Sequence, residues 1–230
     1  MKKLFMAVIA LMMTISASAQ FYIYFSDGTV AQVDSISMIA PHESVDLGLS
    51  VKWATCNIGA NKPEEFGDYF AWGEVEPKEE YNWTTYKWCN GSRLTLTKYC
   101  SNGGWGIVDN KTVLDKSDDA AAVKWGGDWR IPTQEEVDEL CENCTWFWTS
   151  INGVVGYQVT GKNGNSIFLP AAGRKLDFDY DYVGEEGRYW FNTFGLEYPE
   201  HGLFLYFYKG EFRIRGDGRC QGLPIRPVCP

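Results

Sequence analysis

The chain has 230 residues, 45% hydrophobic and 22% charged, a composition typical of a globular protein and not of a disordered one. Its net charge of −9 argues against nucleic acid as a general partner. The charge is uneven, because the last 43 residues carry six basic groups against four acidic ones and contain ten aromatic residues. An aromatic, slightly basic segment on an acidic body is more typical of a contact surface than of a solvated face.

The first 19 residues have the three parts of a secretory signal peptide. Lys2 and Lys3 give the charged start, residues 4–15 the apolar run, and residues 17–19 (Ala-Ser-Ala) the cleavage site. The run is short for a bilayer span, and no later stretch is long and apolar enough for one. We therefore expect an exported protein without a transmembrane segment, located in the periplasm, at the cell surface or in the medium.

Residues 20–38 contain two alternating runs on either side of Asp27-Gly28, a pattern that predicts a β-hairpin. An isolated hairpin is only marginally stable, so we expect it to dock on the main domain or on another chain. The predicted organisation is a signal peptide at 1–19, a β-hairpin and linker at 20–43, and one domain at 44–230.

The main domain begins with a predicted strand at 45–53 that enters a loop. Residues 61–108 are so rich in glycine, aromatic and turn residues that they predict irregular structure held to the core by aromatic side chains. One helix is predicted to start at a Ser117 cap and to continue through 120–125. A second follows the capping box of Thr133 and Glu136.

The second half of the chain predicts antiparallel strands. Alternating or apolar runs bounded by glycines indicate strands at 146–150, 154–159, 166–169, 202–208, 211–215 and 224–228. The predicted fold class is therefore α+β, with two short helices, antiparallel strands and long irregular loops.

The alternation near the C-terminus divides the side chains between two faces of a sheet. The set expected to face the core is Leu203, Leu205, Phe207, Phe212 and Ile214. The set expected to face outward is Phe204, Tyr206, Tyr208, Arg213 and Arg215. One face of an antiparallel sheet in a modest domain is usually open or covered only by loops, and interleaved arginines favour exposure. Packing of both faces, or an oligomer contact, is the alternative.

Seven cysteines in an exported chain predict disulfides with one thiol left over, for which Cys220 is our candidate. A zinc site at Cys141-x-x-Cys144 lacks a second pair of ligands. Asp177-x-Asp179-x-Asp181 resembles the start of a calcium loop, but the glycine and glutamate of an EF-hand are missing further on. The two histidines, His42 and His201, are far apart in the sequence, so no catalytic residue, metal or cofactor is predicted.

Six segments occur in an order that resembles a known family. They are Val45–Thr55 (VDLGLSVKWAT), Asp68–Glu74 (DYFAWGE), Trp129–Thr133 (WRIPT), Leu169–Gly173 (LPAAG), Arg188–Trp190 (RYW) and Ile225–Val228 (IRPV). They resemble the Fibrobacter succinogenes major paralogous domain of exported proteins from gut Bacteroidetes, over about residues 44–230. The resemblance implies a C-type-lectin-like fold related to formylglycine-generating enzymes, with paired chain ends and ligand sites in a loop-rich region.

One departure from the family pattern leads to a further hypothesis. The residues after Tyr189-Trp190 differ from the usual Ser-Ser-Thr, and later positions that are often asparagine carry Phe, Tyr, His, Arg, Asp or Cys. Mutation of adenines in asparagine codons gives these residue types, as in the variable proteins of diversity-generating retroelements. An unpaired Cys220 would follow as one such outcome.

These observations predict an exported, non-catalytic protein that binds an unknown protein or glycan at a cell surface. The residues predicted to contact the ligand are Phe191, Asn192, Phe194, His201, Phe204, Tyr206, Tyr208, Arg213, Arg215, Asp217 and Arg219. The alternatives are an enzyme of the formylglycine-generating type and a structural component of a surface assembly whose hairpin adds a strand to a neighbour.

Overall fold

The computed structural model describes residues 21–24, 29–33 and 42–230. The chain divides into two compact units, Met1–Pro41 and His42–Pro230. The predicted signal peptide lies outside the described residues.

In the first unit, strand β1 (Phe21–Tyr24) pairs with strand β2 (Val30–Val33). The pairing is antiparallel and places Phe21 opposite Val33, which confirms the predicted pairing of the two runs. The Asp27-Gly28 turn lies outside the described residues.

The second unit contains most of the regular structure. Its strands are β3 (Ser44–Val45), β4 (Lys52–Ala54), β5 (Thr145–Ile151), β6 (Val154–Thr160), β7 (Ser166–Pro170), β8 (Arg174–Leu176), β9 (Asp179–Asp181), β10 (Glu186–Phe194), β11 (His201–Tyr208), β12 (Glu211–Gly218) and β13 (Val228–Cys229). Its helices are α1 (Ala120–Trp125) and α2 (Gln134–Asn143). The strands pair antiparallel, and with two short helices the fold class is α+β, as predicted.

Two three-stranded sheets, β5-β6-β7 and β10-β11-β12, share one apolar core. The Trp146 ring stacks on the Phe212 ring at 4.5 Å, and the Tyr157 ring meets the Phe207 ring edge-on at 5.4 Å. Helix α2 adds Val137 to the same core. Strands with one large apolar face are stabilised mainly by burying that face, which explains why the two sheets meet here.

The two ends of the second unit are paired. Strand β4 lies between β3 and β13 and places Trp53 opposite Val228. Arg226 is 1% exposed and donates to the carbonyl oxygens of Ala54, Thr55 and Phe168 and to Asn57 Oδ1, at 2.8–3.1 Å. This guanidinium therefore ties the C-terminal segment to the first residues of the domain and to β7.

The helix starts agree with the sequence in one case and differ in the other. The capping box of Thr133 and Glu136 is present at α2. At α1 the predicted Ser117 cap is wrong, because Asp119 is the cap and accepts the N–H of Ala122. Asp119 directly precedes the helix, so its carboxylate reaches this N–H. Ser117 lies inside the 3₁₀ turn at Lys116–Asp118 and is too far from the helix start to cap it. No helix in the described ranges is long and apolar enough to cross a bilayer.

Residues 55–115 contain no helix or strand of their own within this described part of the chain, as predicted. Buried aromatic side chains bind this region to the sheets through their polar atoms. Trp72 Nε1 donates to the Phe191 carbonyl at 2.9 Å, and Trp190 Nε1 donates to the Phe70 carbonyl at 2.7 Å. Because a buried indole N–H is costly without a partner, these two bonds fix where the long loop lies. The loop covers the face of β10-β11-β12 that is turned away from the main core.

Candidate ligand-binding surface

The loop-covered face of β10-β11-β12 carries the predicted outward set. The register places Arg188, Tyr206 and Arg213 directly opposite one another across the three strands. The next row is Trp190, Phe204 and Arg215. The predicted alternation is confirmed, because Leu205 and Phe207 point into the main core.

The predicted exposure of this face is wrong for two side chains of β11 and right for the other three members of the outward set. Phe204 and Tyr206 are 2% and 6% exposed and belong to the cluster under the long loop, whereas Tyr208 is 38% exposed. Arg213 and Arg215 are exposed. Burial therefore falls along β11 from Phe204 to Tyr208, and it also falls across the sheet from β11 to the edge strand β12, where Arg213 and Arg215 lie opposite Tyr206 and Phe204.

Three other predicted contact residues belong to the interior. Phe191, Asn192 and Phe194 are 0%, 8% and 3% exposed. Phe191 packs in the main core, whereas Phe194 packs with Trp190 in the cluster under the long loop. The prediction rested on the aromatic composition of this segment and on its departure from the family pattern, neither of which shows whether a side chain is covered.

Arg219 is also a structural residue, in contrast to its predicted ligand contact. It is fully buried and donates from Nη2 to the Tyr99 carbonyl at 2.6 Å. Its guanidinium lies 4.8 Å from the Trp72 ring and 4.6 Å from the Phe194 ring. The neighbouring Cys220 is 4% exposed, so neither side chain is presented to a partner.

The exposed end of the face continues into a ladder of aromatic and arginine side chains, which we call the Tyr/Arg surface. Its members are Arg174, Tyr182, Arg188, Tyr206, Tyr208, Arg213 and Arg215. Arg188 lies 5.1 Å from the Tyr182 ring and 5.6 Å from the Tyr206 ring. Arg215 lies closer, 4.4 Å from the Tyr206 ring centre. The ladder thus spans β8 to β12, with Tyr206 at its centre.

Tyr206 is held in place from below. Its hydroxyl donates to Glu186 Oε1 at 2.8 Å. Burial, followed by this hydrogen bond, raises the pKa of Tyr206 above its ordinary value. The phenol therefore stays neutral and gives the arginines above it a fixed aromatic face.

Most charges of the Tyr/Arg surface are paired within it. Arg174 Nε lies 3.0 Å from Asp181 Oδ2, Arg188 Nη2 lies 2.7 Å from Glu186 Oε2, and Arg213 Nη1 lies 2.8 Å from Glu211 Oε1. Arg215 differs, because no carboxylate of the described residues lies within 4.0 Å of its guanidinium. Its five donors are therefore open to a ligand, while the ring of Tyr206 orients their plane.

The sequence prediction did not include the contribution of β8 and β9. Tyr182 follows β9 with a left-handed backbone, φ +59°, and is 43% exposed. A tyrosine in this region of φ costs about 1 kcal/mol or more, and the strain is stored where the ring sits between Arg174 and Arg188. The signal that was available is the alternation of acids and aromatics in residues 177–182, which predicts a strand with exposed rings.

A groove of about 340 Å³ borders the Tyr/Arg surface at Asp217, and we call it the acidic groove. Its polar and aromatic lining residues are Asn82, Trp83, Arg93, Asp177, Glu200, His201, Asp217 and Gln221. Two predicted site residues, His201 and Asp217, thus lie together in this groove. Glu200 directly precedes β11, and Gln221 follows β12. The remaining lining residues come from the long loop and the β8–β9 turn, which no local pattern links to β11 and β12.

The seven cysteines, all of which lie in residues 42–230, are free thiols, so the predicted disulfides are not formed in this structure. Cys100 and Cys220 are instead packed in one apolar cluster, against which Cys89 also lies. Burial raises the pKa of Cys220 to about 12 and raises that of Cys89. These side chains therefore remain neutral thiols near pH 7 and are weak nucleophiles there.

Metal-binding geometry is absent from the described residues, in which no three His, Cys, Asp or Glu side chains are grouped to hold an ion. The two histidines lie in different settings, because His42 stacks on Trp125 with the ring centres 3.7 Å apart, whereas His201 lines the acidic groove. The surface presents aromatic rings and guanidinium groups, and the groove presents carboxylates and the Trp83 indole.

Comparison with known proteins adds no identification: no family model matches the chain, and no curated protein or solved structure does so.

Proposed function

We propose that this chain is an exported, non-catalytic binding protein that contacts a protein or glycan at a cell surface through the exposed end of the Tyr/Arg surface. The contact residues are Tyr182, Tyr208, Arg213 and Arg215. One observation carries the proposal: Arg215 is exposed, stacked on Tyr206, and has no acidic partner within 4.0 Å among the described residues.

The physical chemistry of the surface supports recognition. Tyrosine and arginine supply large, rigid contact areas, stacking and forked hydrogen bonds, and they dominate the binding energy of many interfaces. Here the rigid part is already formed, since Arg188 and Tyr206 are buried and bonded to Glu186. Little side-chain entropy is therefore lost when a ligand binds above them.

The resemblance to the Fibrobacter succinogenes major paralogous domain fits this proposal, and we propose a C-type-lectin-like fold on the same grounds. The pairing of the chain ends through β4 and β13 is what that resemblance implies. If a retroelement diversifies the chain, the positions able to change the ligand are the less buried ones: His201, Tyr208, Arg213, Arg215 and Asp217. A reverse transcriptase gene beside a near-copy of the 3′ end of this gene would support that part.

The test is a pair of double variants on arrays of glycans and of purified bacterial surface proteins. Tyr208→Ala/Arg215→Ala removes the exposed ring and the open guanidinium. Phe147→Ala/Lys162→Ala is the matched control, because Phe147 is 65% exposed and Lys162 is exposed, both outside the Tyr/Arg surface. We expect the first double variant to bind each wild-type ligand at least tenfold more weakly, as hot-spot losses of about 2 kcal/mol imply.

Stability separates lost binding from lost folding. Both double variants should unfold within about 1 kcal/mol of the wild type, because all four replaced side chains are exposed and a substitution at such a site usually changes stability by about 0.5 kcal/mol or less. Equal binding by wild type and Tyr208→Ala/Arg215→Ala would refute the proposal, and so would an equal loss in the control.

A further inference from the structure

The acidic groove holds a buried carboxylate that is not satisfied by the protein. Glu200 is 3% exposed and lines the groove, and its Oε2 has no hydrogen-bond partner. The basic side chain beside it is His201, whose Nε2 lies 3.9 Å from Oε1, beyond hydrogen-bonding distance. A buried acceptor left without a partner is destabilising, the more so if it is charged, so a donor that bonds this carboxylate from the groove offsets that penalty.

The other two carboxylates of the groove are partly used. Asp217 accepts the Gly218 N–H at 2.7 Å through Oδ1, while Oδ2 lies 3.6 Å from Arg174. Asp177 accepts from Asn82 Nδ2 at 3.0 Å through Oδ1. Within the described residues, Asp177 Oδ2 has no hydrogen-bond partner. The groove thus retains carboxylate oxygens that accept no hydrogen bond from the described residues.

An aromatic ring without a cation lies beside these acids. Trp83 is half-buried and meets Tyr86 edge-on at 5.6 Å. Elsewhere in the long loop, Lys87 lies over the Trp88 ring and Arg93 over the Trp105 ring. No lysine or arginine of the described residues lies over Trp83, although the same loop supplies cations to its neighbours. Arg93, the one arginine lining the groove, is turned onto Trp105.

We infer that the acidic groove binds an organic cation on an alkyl arm, namely the side chain of a lysine or arginine in a peptide. The charged end contacts Glu200 and Asp177, and the arm lies against Trp83. A volume of about 340 Å³ is at the small end of ligand sites and suits one side chain. This site goes beyond the proposed Tyr/Arg contact, and it makes the partner a protein with an exposed basic residue.

The experiment titrates ¹⁵N-labelled full chain with three blocked tripeptides, acetyl-Gly-X-Gly-amide with X as lysine, arginine or norleucine. The readout is the indole N–H signal of Trp83, assigned with Trp83→Phe. We expect the lysine or the arginine peptide to shift this signal in a saturable way at low salt, with weaker binding as salt is added. Norleucine, which has an alkyl arm without charge, should leave the signal in place.

Glu200→Gln keeps the shape of the side chain and removes its charge. We expect it to weaken binding of the cationic peptide roughly thirtyfold or more, which corresponds to losing one partner of a buried charge pair. Asp177→Asn is a second variant. Because the Asp177 side chain is exposed, this variant should fold whether or not Glu200→Gln does, and it should weaken binding several-fold. Phe147→Ala should bind as the wild type does.

Three results overturn the inference. They are an equal shift with the norleucine peptide, unchanged affinity in both Glu200→Gln and Asp177→Asn, and a shift produced by a neutral methyl glycoside but by neither cationic peptide. None of these results depends on Arg215, so failure here and failure of the proposed Tyr/Arg contact are seen separately.

Discussion

Replacing Gly187 with alanine tests how tightly the sheet beneath the Tyr/Arg surface is packed. Gly187 lies opposite Phe207 on β11, and a Cβ at this position would be 1.9–2.4 Å from three atoms of the Phe207 ring. Contacts that short require the ring to move by about 1 Å or more. Phe207 is fully buried, with its ring centre 5.4 Å from that of Tyr157 and 5.9 Å from that of Tyr189, so its ring has no space to move into.

The expected cost follows from overpacking and backbone entropy. Overpacking a well-filled core costs about 1–3 kcal/mol or somewhat more, and a glycine-to-alanine change regains about 0.4–1 kcal/mol through the unfolded chain. We expect Gly187→Ala to lower the free energy of unfolding by about 2 kcal/mol, which lowers the Tm by roughly 4–8 °C for a domain of this size. Urea and thermal unfolding of the full chain measure both quantities.

A double-mutant cycle makes this prediction specific. Phe207→Leu alone leaves a cavity and destabilises the domain, but in the double variant the alanine methyl enters the vacated space. We expect the double variant to be about 1–2 kcal/mol more stable than the sum of the single changes. Gly103→Ala is the control, since its added Cβ would have only Val108 near it, at 3.9 Å. Wild-type stability in Gly187→Ala, or strict additivity, would refute the reasoning.

Two further predictions concern buried and half-buried charges. Arg226→Met should lower the free energy of unfolding by about 3–5 kcal/mol, because it removes the donor of three buried hydrogen bonds and of one partly buried bond. Arg215→Met, the same change at an exposed site, should cost about 1 kcal/mol or less. Equal losses in urea unfolding would contradict the structure. Burial alone would raise the pKa of Glu136, but hydrogen bonds from Arg130 and the Thr133 backbone outweigh it and hold the pKa below its ordinary value. The ionised Glu136 therefore stabilises the fold fully above the unfolded-state pKa of about 4.3, and this stabilisation is lost as the pH falls through the lower folded pKa. The Tm difference between wild type and Glu136→Gln should thus narrow from pH 6 to pH 3. A constant difference would show that the Tm difference does not come from the ion pair.

Local patterns predicted five strands and both helices of the second unit, but they missed β8 to β10. The predicted strands at 45–53 and 224–228 were too long, because only 44–45, 52–54 and 228–229 are strand. The alternating runs became β5 to β7, β11 and β12 at nearly the predicted bounds, and the capping box of Thr133 and Glu136 starts α2. These features depend on neighbours within a few residues. They can therefore be read from the sequence.

The predicted ligand contacts were less accurate because exposure is set by distant residues. Phe204 lies on the predicted face, but Phe70 and Trp72 of the long loop cover it. Arg219 is buried because the Tyr99 carbonyl, 120 positions earlier in the chain, accepts its hydrogen bond. A period of two shows which face a residue occupies and contains no information on what covers that face.

The burial gradient along β11 also limits any diversification of this surface. A natural domain is stable by only about 5–15 kcal/mol. Replacing a buried ring such as Phe204 by a small residue costs about 3–5 kcal/mol, so free variation there would unfold many members of the repertoire. Tyr208, at the open end of β11, and Arg215, opposite Phe204 on the edge strand β12, are exposed, and substitutions at such sites usually change stability by only about 0.5 kcal/mol. One sheet face can thus hold the fold at Phe204 and Tyr206 and change its ligand at Tyr208 and along β12, provided that the buried rings do not vary.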